Sequence, residues 1–97
     1  MSRRLYVLVR EDLEQSYRMV QGGHAIAEWT LRYPERWSNE TLVMLKVKDE
    51  RKIEDFHERL SFRGIEHVVF KEPDINYEST ALAVMADDKL FKNLKLA

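Results

Sequence analysis

The chain predicts an α/β fold with one sheet covered on both faces, and three observations predict it. The runs Leu5–Val9 and Thr41–Val47 are apolar on both faces, as central strands are. Segments with a 3.6-residue period separate the strand-like runs. Pro34, Gly64 and Pro73 fall between the periodic segments, where turns belong. The resulting order is β-α-β-α-β-β-α, with four strands, in one domain over residues 1–97.

Residues 4–10 form the first strand, in which Leu5, Val7 and Val9 alternate with Tyr6 and Leu8. Glu11–Gln15 is a polar connection. Ser16 suits an N-cap for a helix running to about Leu31. Met19, Val20, Gly23, Ile26, Ala27, Thr30 and Leu31 share one stripe at 100° per residue, and this stripe is expected to face the sheet. Gly22 and Gly23 each cost about 1 kcal/mol against alanine inside a helix, which points to close packing, to access for another group, or simply to strain there. Tyr17, Gln21, His24 and Glu28 stack on a neighbouring ridge.

Tyr33–Glu40 reads as a loop and Thr41–Val47 as the second strand. Asp49 caps a second helix to about Phe62, with Ile53, Phe56 and Leu60 inward and Gly64 as its stop. Residues 66–70 form a short strand, 71–79 a loop with Pro73, and 80–85 a small-residue strand. Asp87 or Asp88 caps a last short helix carrying Leu90, Phe91 and Leu94. A parallel β-α-β unit would be right-handed, whereas the pairing of the last two strands is left open.

Composition bounds the function. With 44% hydrophobic and 34% charged residues the chain has the make-up of a globular domain. No apolar run approaches the roughly 20 residues of a membrane span, and the N-terminus lacks the apolar region of a signal peptide. There is no cysteine, so disulfide and thiolate chemistry are excluded and a cytoplasmic setting is expected. Residues 1–48 carry eight Lys/Arg and six Asp/Glu, while residues 49–97 carry eight and eleven. This mild imbalance argues against binding nucleic acid by bulk charge. Arg3, Arg4, Arg10, Arg18, Arg32 and Arg36 are either a local basic patch or scattered solvated side chains.

The chemistry-bearing residues gather where the first strand hands over to the first helix, the usual ligand end of an α/β unit. His24 is the side chain best suited to exchange a proton near neutral pH, though its place beside an apolar stripe also suits a structural histidine. Gln21, one turn earlier, either orients it, binds a carbonyl or is an exposed helix glutamine. Asp74 stands in the Glu72-Pro73-Asp74 loop, where it either caps the turn or faces His24 and positions water. Thr80 opens the following strand with a hydroxyl. His57 and His67 read as structural. Trp29, Tyr33 and Trp37 collect at the end of the first helix and suit core packing, base stacking or a dimer contact. No zinc-ligand spacing, phosphate-binding glycine loop or serine elbow is present, so no metal or cofactor is expected.

Val7-Leu-Val-Arg10-x-Asp12-Leu13, then Gln21-x-x-His24-Ala25, a strand–helix unit, Asp74 and Thr80-Ala-Leu-Ala-Val resemble the type 2 peptidyl-tRNA hydrolases over residues 4–85. The resemblance implies a three-layer α/β/α sandwich around a small mixed four-stranded sheet, often as a homodimer. It implies hydrolysis of the ester between a peptide, or an amino acid, and tRNA by activated water, without a metal. Gln21, His24, Asp74 and Thr80 match the family's site positions, and Arg10, Arg18 and Tyr17 are expected to contact the substrate. The chain departs from the family at Tyr17, which stands where the family carries a lysine, and in a shorter loop between Asp74 and Thr80. A non-catalytic RNA-binding or protein-interaction domain on the same fold is the alternative.

Overall fold

The computed structural model describes residues 4–86 and 88–97. One mixed sheet runs through the molecule, with β1 (Leu5–Arg10), β2 (Leu42–Val47), β3 (His67–Glu72), β4 (Glu78–Met85) and β5 (Lys95–Leu96). Helix α1 (Gln15–Arg32) connects β1 to β2, and α2 (Glu50–Phe62) connects β2 to β3. The strand order is β3-β4-β1-β2-β5. β1 and β2 are parallel, and every other pairing is antiparallel.

The residues of β1 are all buried, as a strand apolar on both faces demands. Leu5, Val7 and Val9 pack with Ala25 and Trp29 of α1. Tyr6 and Leu8 pack with Ile53, Phe56 and Leu60 of α2. The sheet is therefore covered on both faces. Asp49 caps α2 by accepting from the Lys52 amide at 3.2 Å. Gly64 follows its C-terminus at φ 68°, a backbone conformation that glycine adopts without Cβ strain.

Four expectations are corrected. The sheet has five strands rather than four, because the two-residue β5 pairs Leu96 with Leu45 and Lys95 with Lys46 along the edge of β2. A two-residue strand carries no periodicity to read. The last helix is a single 3-10 turn, Asp88–Phe91, and the alternative cap Asp87 lies outside the described residues, as does Arg3. The loop 71–79 is a hairpin: β3 and β4 extend to a Glu72–Glu78 pair around a 3-10 turn at Pro73–Ile75, reversed by Asn76 and Tyr77 at φ 58° and 60°.

The fourth correction concerns α1. Its N-cap is Glu14, and Ser16 instead donates its hydroxyl to the Glu14 carboxylate at 2.6 Å. Its buried residues are Gln21, Gly22, Ala25 and Trp29. The stripe expected to face the sheet lies largely on the opposite side, with Met19 37%, Val20 54% and Leu31 82% exposed. The reason is shape. A Cβ at Gly22 would run into the Met44 methyl and sit 3.1 Å from Val9 Cγ1, so this glycine lets the helix lie on β1 and β2. Trp29 fills the space two turns further on. Hydrophobic type alone, without size, selected the wrong side.

Candidate functional site

The site is built where α1 crosses the ends of β3 and β4. A bulge in β4 places its central hydroxyl. Phe70 pairs with Ala81 and Lys71 with Ser79, leaving Thr80 as the extra residue. Alternation is thereby broken: Ser79 turns toward α2 and Thr80 toward α1, where Ala81 also points. Bulges re-aim side chains in this way.

Thr80 Oγ1 donates to Gln21 Oε1 at 2.7 Å, and Gln21 Nε2 donates to Glu72 Oε1 at 2.9 Å. The other carboxylate oxygen of Glu72 accepts from the Asp74 amide at 3.1 Å. Gln21 and Thr80 have no exposed surface, and Glu72 is buried. The Gln21 hydrogen bond first, then the Asp74 amide and the nearby His24, hold the Glu72 carboxyl below its ordinary value against the opposing effect of desolvation. One chain of bonds thus joins α1, β3, the 3-10 turn and β4.

The remaining site residues border this chain. His24 is exposed and stacks on Phe70, with ring centroids 4.4 Å apart and planes at 11°. Asp74 is exposed, and no hydrogen bond joins it to His24 among the described residues. Partial desolvation, then the negative field of Glu72, Asp74 and Glu78, keep the Tyr17 phenol protonated above its usual range. Tyr17 also borders a shallow cleft of about 420 Å³ with Glu14, Ser16 and Val20.

Arg10 and Arg18 direct donors to the protein's own groups, although the Arg18 Nε is buried without a hydrogen-bond partner among the described residues. Arg10 meets both Asp12 oxygens, at 2.9 and 2.8 Å, and reaches Glu78 at 2.8 Å and the Ser79 carbonyl at 3.2 Å. The Asp12 hydrogen bonds dominate in holding the Arg10 guanidinium protonated, and they lower the Asp12 carboxyl in return. Arg18 donates to the Glu11 and Leu13 carbonyls at 3.0 and 3.1 Å. Arg32 and Arg36 lie over Tyr33 at the far end of α1. Among the described residues these four arginines form no single patch around the site.

Glu72 is the residue that sequence reasoning missed. The apolar run of β3 stops at Phe70, so by residue type Glu72 reads as loop. Continuing the period-2 series Val68, Phe70, Glu72 would have put it on the α1 face beside Gln21. On the other face Ser79 is held by two carboxylates: its amide donates to Glu50 at 2.8 Å and its hydroxyl to Glu54. His57 and His67, read as structural, bond to each other at 2.7 Å, and the His67 Nδ1 donates to the Ile65 carbonyl at 2.8 Å. Trp29 is a core residue, 1% exposed and packed on Tyr33. Among the described residues no group of three His, Asp or Glu side chains is arranged to hold a metal, and no helix is long and apolar enough to cross a membrane.

No family model and no curated protein matches this chain. Among solved structures it is similar to Atu0240, a protein of unknown function from Agrobacterium tumefaciens strain C58. The TM-score is 0.77 at 15% identity, and the match covers 97% of this chain and 96% of that one. At that identity the likeness concerns the fold alone.

Proposed function

We propose that the chain is a peptidyl-tRNA hydrolase-like protein that cleaves an acyl ester of tRNA by activated water. The observation that supports this reading is convergence. Gln21, Thr80 and the Glu72–Asp74 turn come from three separated segments and meet in one bonded cluster, with His24 one helical turn from Gln21. In this reading water adds to the ester carbonyl carbon while its proton passes to His24 or to the carboxylate side of the site. The tetrahedral oxyanion collapses, the bond to the ribose oxygen breaks, and that oxygen takes up the proton. Asp74 orients the water. The Gln21 amide and Thr80 hydroxyl set the position of the Glu72 carboxylate, and Tyr17 contacts the substrate end. The direct test is release of amino acid or peptide from labelled acyl-tRNA. Turnover is expected, with kcat lowered at least tenfold by His24→Ala and by Asp74→Ala. No release at high enzyme concentration overturns the hydrolytic reading.

A second reading, a non-catalytic domain on the same fold, is favoured by one observation. Gln21 and Thr80 have no exposed surface and direct polar atoms to each other and to Glu72, as a structural pin would. The phenol at Tyr17 adds no positive charge to a mouth that already holds Glu72, Asp74 and Glu78. Binding of tRNA with no product, weakening as salt rises, would select this reading.

A further inference from the structure

We propose that the α2 face carries a binding groove for the phosphodiester backbone of a nucleic acid strand, with Phe62 as a stacking platform beside it. Between α2 and the chain that follows β4 lies a cleft of about 510 Å³. Its walls carry Lys52 and Arg59 from α2, Arg63 from its C-cap, and Lys89 and Lys92 from the facing segment. Phe56, Leu90 and Leu94 also line it, and Asp55 is its one carboxylate among the described residues. None of the five cations is ion-paired among the described residues. Arg59 lies over the Phe56 ring, 4.9 Å from its centroid.

The groove continues. A second cleft of about 370 Å³ shares Lys52, Asn93 and Leu94 with the first, and adds Lys46, Lys48 and Lys95. Its carboxylate is Glu11, 4.0 Å from Lys46. The two clefts together hold eight of the sixteen lysines and arginines of a chain whose net charge is −1. That concentration along two adjoining clefts is the electrostatic signature of a polyanion site.

Length and an aromatic side chain choose the ligand. Lys52 and Arg59 of α2 and Arg63 at its C-cap are seven and four residues apart along one ridge, and span about 16 Å at 1.5 Å per residue. Opposed cations along such a length fit several consecutive phosphates better than a single one. Phe62 is 93% exposed and lies one turn beyond Arg59, flanking the ridge. An exposed ring beside a cationic track is how single strands are held without sequence preference. The first cleft lies on the opposite face of the sheet from Gln21 and Thr80, so the proposal is independent of the ester chemistry.

The experiment uses the intact chain and a fluorescent, non-acylated single-stranded RNA oligonucleotide, read by anisotropy. Binding is expected to weaken roughly ten- to twentyfold between 50 and 200 mM salt, as for about three neutralised phosphates. Arg59→Glu with Arg63→Glu should weaken it at least tenfold. So should Lys89→Glu with Lys92→Glu, which leaves α2 and its Arg59–Phe56 contact untouched. Phe62→Ala should weaken RNA binding at least threefold, with the thermal midpoint unchanged and affinity for inorganic polyphosphate unchanged. The proposal is overturned by absence of salt-dependent binding, or by wild-type affinity in both charge-reversed variants. It is equally overturned if Phe62→Ala binds RNA like the wild type, or if poly-glutamate competes as well as unlabelled RNA. Hydrolysis is scored separately with His24→Ala and Asp74→Ala, so failure at one face is distinguishable from failure at the other.

Discussion

Thr80 shows how one hydroxyl can organise a buried network. It is fully buried and donates to Gln21, itself fully buried. Thr80→Val keeps the shape and removes the donor, leaving Gln21 Oε1 without its partner. A loss of about 1–3 kcal/mol is expected, measured by chemical denaturation. Glu72 and Asp12 carry the acid response. Both carboxyls are held below their ordinary values, so their stabilisation is present above the usual carboxylate range and lost as pH falls through the lowered folded values. Stability is expected to decline below roughly pH 4. Glu72→Gln should start less stable, since its amide would face donors, and should lose less on acidification. A wild-type acid slope in that variant would refute the assignment. Gln21, Thr80 and Asp74 were legible as residues worth attention, yet their mutual arrangement was not. The bulge that turns Thr80 toward α1 leaves no mark in residue type, and Glu72 is hidden because it lies beyond the apolar run of β3.

At the scale of the element, α1 separates what patterning can read from what it cannot. Its existence and approximate length follow from the sequence, but its buried side was set by contacts that a hydrophobicity count ignores. Two adjacent glycines make the point testable. A Cβ at Gly23 meets nothing within 4 Å, so Gly23→Ala should gain about 0.5–1 kcal/mol from helix propensity. That corresponds to a rise of about 2–8 °C in a domain of this size. Gly22→Ala has the same propensity gain but must displace Met44 and crowd Val9, so its melting temperature should fall below that of Gly23→Ala. Equal midpoints for the two variants would mean that α1 does not lie on β1 as closely as Gly22 implies. By contrast, Asp49, Ile53, Phe56, Leu60 and Gly64 describe α2 correctly from sequence, because there the cap, the stripe and the stop all agree.

For the whole molecule, the decisive feature is how the sheet ends. β1 lies between β4 and β2 and is protected, but β2 would be an open edge without its two-residue partner. β5 covers it through the Leu96–Leu45 and Lys95–Lys46 pairs, and the Ala97 amide adds a bond to the Met44 carbonyl at 3.0 Å. An uncovered edge strand exposes unpaired amides and carbonyls and invites pairing with another chain. β2 is also the strand that a parallel crossover must bring to β1, so it forms through contacts distant in sequence. Deletion of residues 95–97 should therefore lower the melting temperature and add a concentration-dependent oligomer, read by light scattering across a dilution series. Replacing Lys95 and Leu96 with other residues able to form a strand should leave the state of association unchanged, since the pairing is between backbones. If the deletion variant stays monodisperse with the wild-type midpoint, β5 is an accessory to the sheet and the edge of β2 needs no strand to guard it.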